Sequence, residues 1–438
     1  MLRLAGALQA RGFKPIVAVP DFIHRSYRDH RVIVEPIPSG FRDDDPKDFF
    51  SIDASMEKIM PANLERILLD CGGGLACVVV DLLASWAIDV AARCGVPVAG
   101  FWPAMFATYR LFSAIPELML NGFISECGKP IHHDQHQDDY KDEQDMLMIS
   151  NQARLSTKEL PWLVGEASAQ KSRFAFWLRV INRSKSLPWI LINSFPKEDD
   201  ILTLLSTHHH PQIIHLAPVL LAMDTKRRNK REDEDDDDDE SSCIEWLKKQ
   251  EPCTVIYISF GTWVGPIGEE KITELAMALE ETKRPFLWVL KEEQQWRAGL
   301  PEGYLERVAG KGKVVAWAPQ EEVLKSEAVG CYITHCGWNS TMEAIRHEKR
   351  LLCYPISGDQ FVNCSYIVGV WGIGIKLEGL ERGVVLDGVE RIMGGREGEM
   401  VKKRVGEMKV RAMGDEGICG AAANLQSFVQ AVRRGKFG

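Results

Sequence analysis

Short apolar runs, each bounded by turn residues and followed by a segment of helical spacing, recur along this chain. They are PIVAVP (15–20), ACVVVDLL (76–83), PVAGFW (97–102), WILINSF (189–195), TVIYISFG (254–261), PFLWVL (285–290), KVVAWAP (313–319), GCYITH (330–335) and RLLCYP (350–355). This alternation is typical of parallel sheets whose strands are joined by crossover helices. Four runs precede a charged segment and five follow it, which predicts two doubly wound α/β domains.

The charged segment marks the predicted domain boundary. Residues 226–231 read KRRNKR, and residues 232–240 carry nine carboxylates in a row. Such a block is typical of a solvated linker, with an acidic docking tail as the alternative. At 438 residues the chain also exceeds what one hydrophobic core usually organises. We predict an N-terminal domain over residues 1–221, a linker over 222–242 and a C-terminal domain over 243–438.

Charge and cysteine usage exclude several classes of protein. The formal net charge of −9 argues against general binding to nucleic acid or to anionic membranes, which need a basic surface. The sequence contains neither a signal peptide nor an apolar span of the length that crosses a bilayer. Its 11 cysteines show no C-x-x-C spacing, which is typical of reduced thiols. We therefore expect a cytoplasmic monomer without a membrane span.

The loops that follow the predicted strands hold the candidate chemistry. In open parallel sheets the ligand crevice lies beyond the carboxyl ends of the strands. This rule selects the loops after Val80, Phe260, Ala316 and Thr334. These loops contain Asp81, Gly261 with Thr262, Trp317 with Gln320, and His335 with Trp338.

The stretch THCGWNSTMEAI, residues 334–345, permits three interpretations. A zinc site needs about four ligands at suitable spacing. His335 and Cys336 are adjacent, and no matching pair of ligands lies nearby in the sequence. A cysteine nucleophile needs a histidine in space, whereas neighbours on a strand end point in opposite directions. An anion site fits best, because Gly337 lets the backbone turn closely and Asn339 or Ser340 can cap a helix. We expect a phosphate at this helix start and no metal.

Structural alternatives exist for several of these residues. Ser340 and Glu343 match the capping box S-x-x-E, so Glu343 could bond only the backbone of its own helix. Trp317 and Trp338 could be ordinary core aromatics. Only the combination of these residues favours a ligand site.

Residues 317–360, WAPQEEVLKSEAVGCYITHCGWNSTMEAIRHEKRLLCYPISGDQ, resemble the 44-residue signature box of plant secondary-product UDP-glycosyltransferases. These are the family 1 inverting transferases with the GT-B fold. The likeness continues through residues 78–102 and 242–263. It implies two Rossmann-like domains facing a cleft, with the last helix, about residues 421–435, packing back on the N-terminal domain.

The resemblance also implies roles for individual residues. Trp317 would stack on uracil, Ala318 would hold the base edge through its backbone, and Gln320 would lie nearby. Glu343 would accept hydrogen bonds from the ribose hydroxyls. The remaining members of the implied UDP-sugar site are Gly261, Thr262, His335, Gly337, Asn339 and Ser340 around the diphosphate, and Trp338, Asp359 and Gln360 at the sugar.

The implied activity is inverting transfer of glucose from UDP-glucose, a co-substrate, to a small hydrophobic acceptor. The final Gln360 of the box favours glucose. Asp81 would orient a catalytic histidine, which the family carries in a P-x-x-x-Q-G-H-x-x-P loop after its first strand. This chain begins at the following helix, MLRLAGALQARGF, so we expect that strand and histidine to be missing at its start. The alternative is a catalytically impaired protein that still binds UDP-sugar. A nucleotide-sugar epimerase or dehydrogenase is disfavoured, because no glycine-rich dinucleotide fingerprint follows a strand.

Overall fold

The structure is a computed structural model that describes residues 1–24, 32–42, 44–131, 146–148, 153–195, 211–222, 242–261 and 265–435. Thr262 and nearly all of the predicted linker 222–242 lie outside the described residues. The chain divides into two compact units. Unit 1 comprises Met1–Asp145, Trp162–Asn229 and Ala412–Gly438, and unit 2 comprises Met146–Pro161 and Lys230–Arg411.

The described strands follow the predicted runs. In chain order they are β1 (Ile16–Pro20), β2 (Ile33–Ile37), β3 (Val78–Asp81), β4 (Val98–Trp102), β5 (Met146–Met148), β6 (Arg154–Ser156), β7 (Trp189–Ile192), β8 (Gln212–His215), β9 (Val255–Ser259), β10 (Phe286–Val289), β11 (Gly312–Val315), β12 (Val329–Thr334), β13 (Arg350–Cys353) and β14 (Gly374–Lys376). All nine predicted runs contain a strand. The sequence reasoning missed β2, β8, β14 and the short β5–β6 hairpin.

Helices separate most of these strands. They are α1 (Leu2–Gln9), α2 (Asp21–His24), α3 (Phe49–Lys58), α4 (Met60–Asp70), α5 (Trp86–Arg93), α6 (Phe106–Ser113), α7 (Ile115–Leu120), α8 (Ala167–Ser184), α9 (Ala217–Ala222), α10 (Glu269–Thr282), α11 (Gln294–Arg297), α12 (Tyr304–Val308), α13 (Gln320–Lys325), α14 (Trp338–Arg346), α15 (Gln360–Ser365), α16 (Arg382–Met393), α17 (Gly395–Met413) and α18 (Asp415–Arg433). A π-helical turn, Tyr366–Val370, follows α15. The described part of the chain contains no helix both long and apolar enough to cross a bilayer.

The strands of unit 1 form two parallel sheets, where the sequence predicts a doubly wound sheet that lacks its first strand. One sheet has the order β3-β4-β7-β8, and the other is the pair β1-β2. In the described residues β1 and β3 are therefore both edge strands. The exposure of Ile16 and Ile33, at 41% and 57%, is consistent with the partial solvation of the β1-β2 pair.

The core of unit 1 combines the two ends of the chain. Trp189 on β7 packs edge-on against Phe428 on α18, with 5.8 Å between ring centroids. Leu4 on α1 and Leu425 on α18 belong to the same buried cluster. The remaining members of this cluster are Ala7, Ala99, Phe101, Leu191, Ile214, Leu216, Val219, Leu220, Ala421 and Val432. The last helix is thus part of unit 1, and it begins at Asp415.

Unit 2 is a parallel six-stranded sheet with the order β11-β10-β9-β12-β13-β14. Strands β9, β12 and β13 are buried at every residue. Strands covered on both faces need apolar residues throughout, which explains why these runs show no polar alternation. Strand order runs in one direction from β9 to β11 and in the other from β12 to β14, so the switch point lies between β9 and β12. Ligands bind at such switch points in open α/β sheets.

The hairpin β5–β6 joins unit 2, although the sequence reasoning assigned residues 1–221 to a single domain. The Ser365 hydroxyl donates a hydrogen bond of 2.6 Å to the Arg154 carbonyl. The Lys376 ammonium lies 3.2 Å from the Glu159 carboxylate. These contacts join residues more than 200 positions apart, and local sequence pattern carries no sign of them. The boundary predicted at 222–242 stays a prediction.

Candidate functional site

Four loops of unit 2 carry most of the candidate residues, and they follow strands of one parallel sheet. Gly261 follows β9, Trp317 follows β11, His335 follows β12 and Asp359 follows β13. Because the carboxyl ends of parallel strands meet at one edge, these loops share that edge of the sheet.

The turn between β12 and α14 differs from the prediction. Gly337 has ordinary extended dihedrals (φ −60°, ψ 140°) and is the N-cap of α14, whereas Cys336 takes the left-handed conformation with φ 64°. The chain therefore turns one residue earlier than predicted, and α14 begins at Trp338. The predicted caps at Asn339 or Ser340 are wrong, because both residues lie inside the first turn. The capping box from Ser340 to Glu343 fails for the same reason.

Gly261 and Gly337 leave room for the imidazole ring of His335. A methyl group at Gly261 would lie 2.7 Å from Nε2 of His335, and one at Gly337 would lie 2.4 Å from the same atom. Neither distance is compatible with a side chain. Gly261 also has a φ of +81°, which favours glycine in its own right. Because neither glycine has a side chain, the imidazole ring can lie directly against the backbone at the start of α14.

His335 is a neutral hydrogen-bonding group in this environment. Burial lowers the pKa of its imidazole to about 4, and a backbone hydrogen bond with Ser259 opposes that effect. At neutral pH the ring can therefore donate a hydrogen bond to an anion without carrying a charge. The helix start beside it supplies the positive potential, since the first amides of a helix point beyond its N-terminus. Together they suit a diphosphate.

Gln320, Ser340 and Glu343 form one polar group. The Gln320 amide nitrogen donates to the Ser340 hydroxyl at 3.0 Å and to the Glu343 carboxylate at 2.8 Å. Gln320 is the first residue of α13, and the other two lie on α14. The structure therefore brings Gln320 together with two residues that follow it by 20 and 23 positions. A carboxylate held by an amide at a half-buried position is a suitable acceptor for sugar hydroxyls.

Trp317, Ala318 and Trp338 differ in exposure. The Trp317 side chain is 39% exposed, although large aromatics are usually well buried. More than a third of Trp317 is therefore accessible, and the alternative of an ordinary core aromatic is disfavoured. Ala318 is buried, with an exposure of 6%. Trp338 is also buried, at 4%, with its ring 6.4 Å from that of Trp371, so a core role fits it as well as a sugar contact.

Asp359 and Gln360 are engaged with their own loop. The Gln360 side-chain oxygen accepts hydrogen bonds of 2.9 Å from the amides of Ile356 and Ser357. The Asp359 carboxylate accepts one of 3.0 Å from Asn363, and burial raises the pKa of Asp359. These bonds fix the backbone between β13 and α15.

Asn363 is a residue that the sequence reasoning missed. Its side-chain nitrogen donates to the Asp359 carboxylate and, at 2.9 Å, to the carbonyl of Cys336. It thereby connects the loop after β13 with the strained turn after β12. Asn363 lies three residues after Gln360 on the same short helix, and residues at this spacing are neighbours on a helix surface. This spacing is the sequence signal that could have identified Asn363.

Three thiols lie beneath this turn. The sulfur atoms of Cys336, Cys353 and Cys364 are within 4.8 Å of one another, and all three residues are buried. Burial raises the pKa of the Cys336 and Cys353 thiols, so both stay protonated at neutral pH and pack as small apolar groups. A search by local spacing misses this cluster, because it draws on three separate elements.

Asp81 ends β3 in unit 1. Its carboxylate accepts a hydrogen bond of 3.1 Å from the Leu83 amide. Burial raises the pKa of Asp81, and the Leu83 hydrogen bond opposes that rise. The structure thus contains a half-buried carboxylate at the predicted strand end, and the expected loss of its histidine partner stays a prediction.

Comparison with known proteins identifies the family. Residues 236–396 match the family described as UDP-glucoronosyl and UDP-glucosyl transferase. UDP-glycosyltransferase 82A1 of Arabidopsis thaliana is 46% identical over 447 aligned positions, which cover 97% of this chain and 94% of that protein.

Solved structures show the same fold. A UDP-glucosyltransferase from Polygonum tinctorium, capable of glucosylating indoxyl, matches with a TM-score of 0.80 at 22% identity, covering 98% of this chain and 94% of that one. A UDP-glucose: anthocyanidin 3-O-glucosyltransferase in complex with UDP gives a TM-score of 0.76 at 23% identity, over 99% and 94% of the two chains.

Fold and sequence together thus define a sugar-transferring enzyme of the GT-B class. The chain belongs to the plant family 1 UDP-glycosyltransferases. The alternative of a protein that only binds UDP-sugar is not favoured by these relatives.

Proposed function

We propose that this transferase moves glucose from UDP-glucose to a small, largely apolar acceptor that carries a nucleophilic hydroxyl. The observation that carries this proposal is the constellation at the strand ends of unit 2. An exposed indole, a neutral imidazole at a helix start and an amide-held carboxylate match the base, diphosphate and ribose of one nucleotide.

The nucleoside part of the site consists of Trp317, Ala318, Gln320 and Glu343. Trp317 stacks on uracil, and the backbone of Ala318 meets the edge of the base. Glu343 accepts hydrogen bonds from the ribose hydroxyls. The support for the last role is the half-buried position of Glu343 and its 2.8 Å hydrogen bond from Gln320.

The diphosphate binds at the N-terminus of α14. His335 donates a hydrogen bond from its neutral ring, and Asn339 and Ser340 contribute side-chain donors. Gly261 and Gly337 have no side chains, so the His335 ring can lie close to the backbone and reach the phosphates. Thr262 is the further donor that the family resemblance suggests. The sugar lies against Trp338, Asp359 and Gln360. A glucose preference rests on Gln360 and on the donors named for the relatives.

The chemical step is a substitution with inversion at the anomeric carbon. The acceptor oxygen forms a bond to that carbon, while the bond between the carbon and the β-phosphate oxygen breaks and UDP leaves with the electron pair. In the family the acceptor proton passes to a histidine that Asp81 would orient and support, and we expect that histidine to be missing from this chain as printed. His335 and the start of α14 stabilise the charge that develops on the leaving diphosphate.

We assign acceptor binding to the N-terminal domain, residues 1–221, and UDP-sugar binding to the C-terminal domain, residues 243–438.

The donor is consumed as a co-substrate, so the reaction needs no resident cofactor. We also propose that the protein works as a monomer in the cytoplasm. The 11 cysteines support a reducing compartment, because all of them are free thiols.

The test is an assay of transfer from UDP-glucose to a panel of phenolic and terpenoid alcohols. Trp317→Ala should weaken UDP binding by about 1–3 kcal/mol through loss of stacking, while Trp317→Phe keeps an aromatic face and should retain most of the affinity. Calorimetry measures both. Equal UDP affinity in the wild type and Trp317→Ala would remove the stacking assignment. Normal UDP binding without product from any acceptor would favour the catalytically impaired alternative.

A further inference from the structure

Two buried tyrosines lie behind the nucleotide site. Tyr257 on β9 and Tyr332 on β12 are directly paired in the parallel register of the sheet. Their rings are 4.9 Å apart between centroids, and their exposures are 1% and 0%. A strand position buried on both faces would accept phenylalanine equally well on packing grounds, so the two hydroxyl groups need a separate explanation.

Both hydroxyl groups reach the same atom. The Tyr332 hydroxyl lies 3.0 Å from the side-chain oxygen of Gln320, and the Tyr257 hydroxyl lies 3.4 Å from it. The Tyr332 hydroxyl is also 3.2 Å from the carbonyl of Ser259. Burial raises the pKa of Tyr332 to about 12, so its phenol remains a donor at neutral pH.

The partners on its two sides decide which end of the Gln320 amide faces the ligand site. A glutamine amide has an accepting oxygen and a donating nitrogen at nearly equal positions, and its orientation follows from its partners. With the oxygen on the phenols, the nitrogen lies 3.0 Å from the Ser340 hydroxyl and 2.8 Å from the Glu343 carboxylate. The reverse orientation would place two acceptors, the amide oxygen and the carboxylate, against each other.

We propose that Tyr332, assisted by Tyr257, is a positioning residue of the donor site: its phenol orients the Gln320 amide, which in turn holds the Glu343 carboxylate for the ribose. This inference rests on the proposed function, because it requires Glu343 to receive the ribose hydroxyls. It predicts that a residue without ligand contact determines how well the enzyme distinguishes a ribonucleotide from its deoxy analogue.

The experiment measures the affinity of the full chain for UDP and for 2′-deoxyuridine diphosphate by calorimetry. Tyr332→Phe removes one hydroxyl and keeps the ring. We expect its UDP affinity to fall about three- to tenfold, the effect of one lost hydrogen bond, while its affinity for the deoxy analogue stays near the wild-type value. The preference for the ribonucleotide therefore shrinks. KM for UDP-glucose should rise with little change in kcat.

Tyr304→Phe is the matched control. Tyr304 is 1% exposed in the same unit, and among the described residues its hydroxyl has no hydrogen-bond partner. This variant should keep the wild-type preference. A preference unchanged in Tyr332→Phe, or equal losses of affinity for both nucleotides, would overturn the positioning role.

Glu343→Gln separates this inference from the proposed function. If Glu343→Gln loses the preference and Tyr332→Phe retains it, the ribose assignment stands and the positioning role fails. If Glu343→Gln retains the preference, the ribose assignment fails and the inference fails with it.

Discussion

Substituting Gly337 with alanine tests the role of the His335 imidazole at the proposed diphosphate site without changing a ligand-binding side chain. Gly337 has φ −60° and ψ 140°, which alanine adopts without strain. The effect therefore comes from the new methyl group alone. That group would lie 2.4 Å from Nε2 and 2.9 Å from Cε1 of His335.

The size of the effect follows from this overlap. Contacts between non-bonded atoms are most favourable near 3.5 Å, so the ring must retreat by about 1 Å. A hydrogen bond of about 2.9 Å to a phosphate oxygen would then exceed the usual range. Losing a hydrogen bond to a charged group costs about 1.5–3 kcal/mol, which corresponds to a roughly ten- to hundredfold weaker UDP affinity.

The assay compares UDP with uridine, which lacks the phosphates. Calorimetry on Gly337→Ala should show a large loss for UDP and almost none for uridine. Gly310→Ala is the control, because a methyl group there would meet nothing within 4 Å. Wild-type UDP affinity in Gly337→Ala would refute the contact between His335 and the diphosphate. Equal losses for UDP and uridine would indicate a general disturbance of the site.

Three further predictions concern charge. Glu343→Gln should weaken UDP binding by about 1.5–3 kcal/mol by calorimetry with little change in Tm; normal affinity with reduced Tm would assign Glu343 a structural role instead. Burial lowers the pKa of His335 and of His215 to about 4, below the ordinary 6.5, so the unfolded chain binds protons first as the pH falls. The contribution of these two histidines to the free energy of unfolding should be complete above pH 6.5 and should decline as the pH falls towards 4. Denaturant titrations of His335→Gln should show a shallower decline. Asp81→Asn should lower kcat by roughly a hundredfold or more and leave UDP affinity unchanged; a wild-type kcat would remove Asp81 from the reaction.

The parallel strands of both halves could be predicted because their signal is local. Fully buried runs such as TVIYISFG and GCYITH, bounded by turn residues, indicate central strands wherever they occur. Strand β14 escaped prediction because it contains only Gly374–Lys376, too short to show a pattern. The full strand order of unit 1 depends on pairing, which local pattern does not encode.

The sequence could place several candidate residues in the loops at the strand ends, but it could not give their mutual geometry. The strand-end rule selected His335 and Trp317 correctly as loop residues after β12 and β11. The helix start was placed too late, because a non-glycine residue, Cys336, takes the left-handed turn that sequence reasoning assigned to glycine. The contacts of Gln320 with Tyr332 and of Asn363 with Cys336 join separate elements, so they required coordinates.

The place of the last helix in unit 1 has a consequence for how this protein is made. Leu425 and Phe428 fill the same core as Leu4 and Trp189, so the core of unit 1 is completed by residues translated after unit 2. Domains usually fold in order during synthesis, N-terminal first. Here the emerging N-terminal sheet must wait, with an apolar surface uncovered, while all of unit 2 is translated. Chaperone occupancy of the nascent chain should therefore persist until α18 has emerged, and ribosomes stalled before residue 415 should hold unit 1 in a protease-sensitive form.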